Sequence, residues 1–189
     1  MTSQPIITLQ SKTIEIQGIK NLQTACQINN ISKEEAELEG FVTAMYSIDF
    51  LTYMNQCTPS IIALENEEVV GYALVCDKQT IGHHPLLDDL FHHLDQLNYN
   101  GNVLKNSNYV LVGQLCVAKS HRGKGLVQAM YEHFRKIYSP SYSYLITDVD
   151  ERNMRSIKAH TKSGFEIINT IPYGESNWHV ILWDWNQRS

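Results

Sequence analysis

Basic charge is scarce in this chain: 15 Lys and Arg stand against 20 Asp and Glu, for a net charge of -5. With a pI near 5.9, that balance argues against the broad cationic face used to hold nucleic acid. Cysteine is sparse as well. Cys26, Cys57, Cys76 and Cys116 lie far apart with no Cys-x-x-Cys pair, so neither a zinc site nor a disulfide framework is suggested. The start, Met1-Thr-Ser-Gln-Pro5, has no basic segment followed by an apolar run, and no stretch approaches the roughly 20 apolar residues of a membrane span. Repeats, charged tails and low-complexity segments are missing too. These absences predict a cytoplasmic protein whose partners are small ligands, with no nucleic acid, membrane or metal among them. What is present, 189 residues of which 43% are hydrophobic, suits one domain over 1–189 with a sizeable core.

Along the chain, Thr13 to Gln17 reads as a short strand. Ser32, followed at the third position by Glu35, opens a helix through Glu39 that Gly40 breaks. Phe41, Met45, Ile48 and Leu51 recur at the spacing of a second helix ending near Gln56. Ile61 to Leu64 and Val69 to Cys76 flank a polar turn and form a hairpin. The connection from Asp77 to Asn108 is too long for a bare loop and contains a helix from Pro85 to about Leu97 and the turn Asn98 to Asn102. Its His83, His84, His92 and His93 lack the cysteine partners or i,i+4 histidine pair of a metal site. Tyr109 to Ala118 is nearly all apolar, as in a central strand covered on both faces. Helix Gly125 to Tyr138, strand Tyr144 to Val149, helix Asn153 to Ser163, and strands Glu166 to Ile171 and Trp178 to Trp185 complete an α/β chain with a mixed central sheet flanked by helices.

The junction Gln114-Leu-Cys-Val-Ala-Lys-Ser-His-Arg-Gly-Lys-Gly-Leu-Val127 joins that apolar strand to a helix through a glycine loop. Gly123 and Gly125 allow a sharp turn, and the helix that begins there directs unpaired amides at any phosphate in front of it. Arg122 and Lys124 add positive charge. Downstream, Asn153, Ser156 and His160 fall at i, i+3 and i+7 on one helical stripe, with Met154 and Ile157 beside it. Taken alone, these three read as a cap, a solvated hydroxyl and an edge-packed ring.

Together the two segments resemble the GNAT superfamily of acyl-CoA-dependent N-acetyltransferases. Arg122-x-x-Gly125 is similar to the family's pyrophosphate loop, with Val127 where Gly or Ala is usual. Asn153, Ser156, Gly164 and Phe165 match its later motif, with His160 where the family has a tyrosine. The resemblance covers about residues 61–185. It implies acetyl-CoA as co-substrate and a strand pair that splays at the cofactor cleft. Leu115, Cys116 and Val117 would bond the pantetheine arm as an added strand would. The amides of Arg122, Gly123, Lys124, Gly125, Leu126 and Val127 would hold the diphosphate, with Asn153, Ser156 and His160 lining the cleft.

The chemistry so implied is direct attack of a primary amine on the thioester, with no enzyme nucleophile. The backbone amide of Val117 is the candidate oxyanion donor. His160, with an ordinary pKa of roughly 6.5, is the candidate acid for the departing thiolate. Gln114 cannot serve as a base. Asp148, Asp150, Glu39 and a water held by the neighbours of Gln114 remain open for that role. Cys116, set in an apolar strand, reads as inert packing.

An acyl-CoA-binding regulatory domain without turnover is the competing reading, motivated by the missing tyrosine; thiol release with a panel of amines separates the two. A P-loop is excluded because Lys124 precedes Gly125 and no Ser or Thr follows. The acceptor and the oligomeric state, including a homodimer, carry no motif.

Overall fold

The computed structural model describes residues 4–32, 41–174 and 176–186. In chain order its strands and main helices are β1 (Ile6–Leu9), α1 (Thr13–Cys26), α2 (Ile48–Cys57), β2 (Ile61–Glu65), β3 (Glu68–Cys76), α3 (Pro85–Leu94), β4 (Asn98–Tyr99), β5 (Asn102–Val103) and β6 (Tyr109–Val117). There follow α4 (Leu126–Tyr138), β7 (Tyr144–Asp150), α5 (Met154–Lys162), β8 (Glu166–Tyr173) and β9 (Ser176–Asp184). Among the described residues seven strands form one mixed sheet in the order β1-β2-β3-β6-β7-β9-β8, and β4 pairs with β5 in a separate hairpin. Within that sheet β6 and β7 are the one parallel pair among the described strands. No described helix is long and apolar enough to cross a membrane.

Alternation along the strands sends successive side chains to opposite faces, each with its own apolar core. Ile62, Tyr72 and Leu74 pack under α1, α2 and α3. Ile61, Ala73 and Val75 pack under α4. In β6 the alternation slips. Val110 and Val112 face α4, but so do Leu115 and Val117, while Leu111 and Cys116 lie on the other side. The cause is a bulge: Leu74 pairs with Gln114 and Val75 with Val112, which leaves Gly113 as the extra residue. A Cβ on Gly113 would meet Cys76 Sγ at 2.5 Å, so the kink fits only glycine here.

Two expectations are corrected at the N-terminal end. Thr13 to Gln17 is the start of helix α1, not a strand. Ile16, Ile19, Leu22, Gln23 and Cys26 are its buried positions, a helical spacing that only the longer window reveals. Glu15 secures the start by accepting from the amides of Ser11 at 2.7 Å and Lys12 at 2.8 Å. The first strand is instead Ile6–Leu9, paired with β2. The second helix is shorter than expected. It begins only after Ser47, whose hydroxyl accepts from the amide of Phe50 at 3.1 Å. Residues 41–47 are not helical and pass the end of α1, where Val42 N–H donates to Cys26 O at 3.1 Å. The helix expected from Ser32 through Glu39 falls on residues 33–40, outside the described residues.

Candidate active site

Strands β6 and β7 pair for only three residues, Tyr109 with Tyr144, Val110 with Leu145 and Leu111 with Ile146. Thr147 Oγ1 then donates to Val112 O at 2.8 Å, and beyond that link the strands part. β6 stays on β3 as far as Gly71 opposite Val117, while β7 stays on β9 as far as Asp150 opposite Trp178. The gap between them is the cleft. Ala118 N–H donates to Val70 O at 2.8 Å, so by the two-residue repeat of an antiparallel ladder Leu115 and Val117 turn their amides away from β3 and into the gap. Arg122 Nε already donates to Val117 O at 3.0 Å from that side.

The cleft has three connected parts. An inner cavity of about 320 Å3 opens between Val112–Leu115 on β6 and Thr147–Asp150 on β7, closed above by Phe41 to Ala44 and Tyr46. A narrow neck of about 90 Å3 joins it, bounded by Leu115, Cys116, Val117, Arg122, Asn153, Ser156 and His160. An outer basin of about 360 Å3 follows, formed by Arg122, Gly123, Gly125, Leu126 and Val127 against α5. There Gly123 and Gly125 adopt φ of +75° and +78°, a left-handed geometry that favours glycine. The turn sets the first amides of α4, which have no intrahelical acceptor, at the basin.

Of the residues singled out from sequence, Leu115, Cys116, Val117, Arg122, Gly123, Gly125, Leu126, Val127, Asn153, Ser156 and His160 all line this cleft. Lys124 does not. It is exposed and is not among the residues that wall the three spaces. The cations of the basin wall besides Arg122 are Arg155, Lys158 and Lys162, whose i, i+3, i+7 spacing on α5 is the sequence signal that identifies them. Asn153 both caps α5, accepting from Ser156 N at 3.2 Å, and donates to Phe41 O at 3.2 Å. It thereby ties the helix to the strap over the cavity.

His160 differs from the expectation built on an ordinary imidazole. Its exposure is 4%, and Nδ1 lies 2.7 Å from Ser156 O. A carbonyl only accepts, so Nδ1 carries the hydrogen and Nε2 accepts from the Tyr131 hydroxyl at 2.7 Å. Burial pushes the pKa down to about 4, and the ring is neutral at physiological pH. Tyr131, whose phenol burial pushes well above its usual range, stays protonated and donates.

Asp148 is the contrasting group. It lines the inner cavity, half-buried, and desolvation pushes its carboxyl up to about 6. Asp150 is held below the ordinary carboxylate range despite its burial, because Arg152 and Ser176 hydrogen-bond to it. Gln114 accepts from Gln23 Nε2 at 2.9 Å and from Tyr72 at 2.6 Å and donates to Ala44 O at 2.8 Å, so its amide is fully engaged in structure. Contact with the Cys26 thiol and burial push the Cys116 thiol well up, which leaves it unreactive. Among the described residues no group of three or more His, Cys, Asp or Glu is arranged to hold a metal ion.

Residues 21–165 match the acetyltransferase (GNAT) family. The chain belongs to that family. Among solved structures, GNAT relatives share its fold across nearly their whole length. A GNAT acetyltransferase from Streptococcus agalactiae superposes with a TM-score of 0.66 at 14% identity, covering 97% of this chain and 98% of that one. The Salmonella typhimurium protein yncA, solved with its cofactor acetyl-CoA, gives 0.62 at 15% identity over 99% and 97%. The ribosomal-protein-S18-alanine N-acetyltransferase of Escherichia coli gives 0.60 at 13% over 95% and 94%. No curated protein matches this GNAT sequence.

Proposed function

We propose that this GNAT protein, as one domain in the cytoplasm, transfers the acetyl group of acetyl-CoA to a primary amine of a small molecule or peptide by direct attack. The observation that carries the reading is the continuity of the cleft: outward amides of Leu115 and Val117, a cationic basin at the start of α4, and a cavity at the other end. The diphosphate lies on the α4 amides with Arg155, Lys158 and Lys162 around it, and the pantetheine arm extends through the neck along β6. The Val117 N–H meets the thioester oxygen as it becomes negative.

Asp148 is the base. A carboxyl near 6 is ionised at neutral pH and still close enough in pKa to take a proton from an entering ammonium. The free amine forms the C–N bond. The C–S bond breaks as the tetrahedral intermediate collapses, and the nitrogen's second proton passes through solvent to the thiolate. His160 is then a positioning residue, clamped between Tyr131 and Ser156 at the neck, in place of the acid expected from sequence.

The test is CoA thiol release from acetyl-CoA with a panel of primary amines, alongside calorimetry with acetyl-CoA. Amine-dependent release with saturable binding is expected. Saturable binding with no release for any amine would favour the regulatory-domain reading, for which the histidine in place of the family tyrosine is the supporting observation. No binding heat would overturn both.

A further inference from the structure

Three carboxylates and no lysine or arginine line the inner cavity among the described residues. One of the three is neutralised: Arg152 meets Asp150 through Nε at 2.9 Å and Nη2 at 2.5 Å. The other two, Asp148 and Asp89, are not paired with any cation on that wall. The basic side chains there are the imidazoles of His160, fixed as described, and His93, whose Nδ1 is turned to the backbone carbonyl of Asp89 at 2.8 Å.

The two carboxylates sit at different depths. Asp148 is on β7 where the strands part, half-buried, and Asp89 is exposed on α3. Phe41, Tyr46, Tyr173 and Trp178 supply the aromatic wall, and the rings of Tyr173 and Trp178 stand edge to face 6.4 Å apart. An acceptor bearing a carboxylate would bring its anion against Asp148 or Asp89 with no cation to meet it, an arrangement that costs affinity. An acceptor with a second cationic nitrogen finds two carboxylates without a cation, and aromatic side chains, on the same cavity wall.

We propose that the acceptor is a dication, a flexible aliphatic diamine or longer polyamine, with the reacting nitrogen beside Asp148 and the second nitrogen held by Asp89 and the aromatic wall. This assignment rests on the acetyltransfer reading for which nitrogen reacts, but its binding claim stands separately. Three acceptors of five carbons separate the possibilities: α,ω-diaminopentane, pentylamine and ω-aminopentanoate carry a cationic, a neutral and an anionic group at the far end. Titrated into the CoA-loaded protein, the diamine is expected to bind about 10-fold tighter than pentylamine, and aminopentanoate weaker than both. In initial-rate assays with acetyl-CoA the same order is expected in kcat/KM. Asp89→Asn should narrow the preference of diamine over pentylamine about five-fold. Equal binding of diamine and pentylamine, or a preference for aminopentanoate, would overturn the assignment even if an amine is acetylated. Selective diamine binding without thiol release would uphold it and overturn the transfer reaction instead.

Discussion

The two ends of the cleft share β6 and α5, yet they are built on opposite electrostatic principles. The basin wall carries the first-turn amides of α4, the side chains of Arg155, Lys158 and Lys162, and Arg122, itself folded back on Val117 O. The inner cavity has no lysine or arginine on its wall among the described residues, and its one half-buried carboxylate without a cation is Asp148. Redundant contacts suit a ligand with several phosphate charges, since each donor adds a modest share. A lone buried carboxylate suits chemistry, because the desolvation that makes it costly also lifts its pKa into the working range. The basin should therefore yield gradually to substitution and the cavity abruptly.

The largest effect is expected at Asp148. Asp148→Asn should lower kcat/KM for an amine by about 100-fold with unchanged acetyl-CoA affinity in calorimetry, and the wild-type rate should rise with pH through about 6. The same change should stabilise the protein. Because the folded carboxyl titrates near 6 and the unfolded one near ~4, the native state holds the proton more tightly, and stability contributed by the protonated form is lost as pH rises through that interval. Removing the charge should then raise stability at neutral pH by on the order of 2 kcal/mol, read from urea midpoints. Loss of both activity and stability would mean that Asp148 is structural.

A smaller effect is expected from reversing charge at the basin. Lys158→Glu combined with Lys162→Glu should weaken acetyl-CoA about 10-fold, with a steeper loss at high salt in wild type than in the variant, and should leave the amine KM unchanged. If the amine KM moved as well, the two ends would not be separate. Gly125→Ala comes next. Its φ of +78° makes any Cβ strained, at about 1–2 kcal/mol, and the displaced α4 amides should weaken acetyl-CoA several-fold.

The smallest change in rate is expected at the neck. Tyr131→Phe removes the donor to His160 Nε2 and should cost about 1–3 kcal/mol of stability while kcat changes less than about three-fold. A large fall in kcat would return a proton-transfer part to the Tyr131–His160 pair. His160 also sets an acid limit. The folded ring protonates only near 4 and the unfolded ring near ~6.5, so the unfolded state binds more protons between those values and stability falls as pH drops through them. Equilibrium unfolding in that range should show a flatter pH dependence for His160→Gln.

The cofactor end was largely legible in the sequence because its determinants are local. Gly123 and Gly125 mark the turn, the apolar run of Tyr109 to Val117 marks the central strand, and Asn153, Ser156 and Gly164 mark the start, face and end of α5. Each is fixed by neighbours a few residues away. The N-terminal third differs from its sequence pattern where local and long-range signals disagree. Thr13 to Gln17 alternates over too few residues to outweigh the helical period that continues to Cys26, and Phe41 to Ser47 carries helix-like spacing but is kept out of a helix where Val42 bonds to Cys26 at the far end of α1.

The order of elements from the Ile61 strand to the last strand pair, the glycine turn at the start of α4 and the polar stripe of α5 were determined by the sequence alone, since backbone sterics and helical periodicity act over a turn or two. Only the tertiary structure decided that Gly113 bulges, that β6 and β7 therefore part, and that Asp148 is left without a cation while Asp150 is paired. Ionisation follows from burial and from charges brought together across the fold, and those distances are not written in any stretch of neighbouring residues.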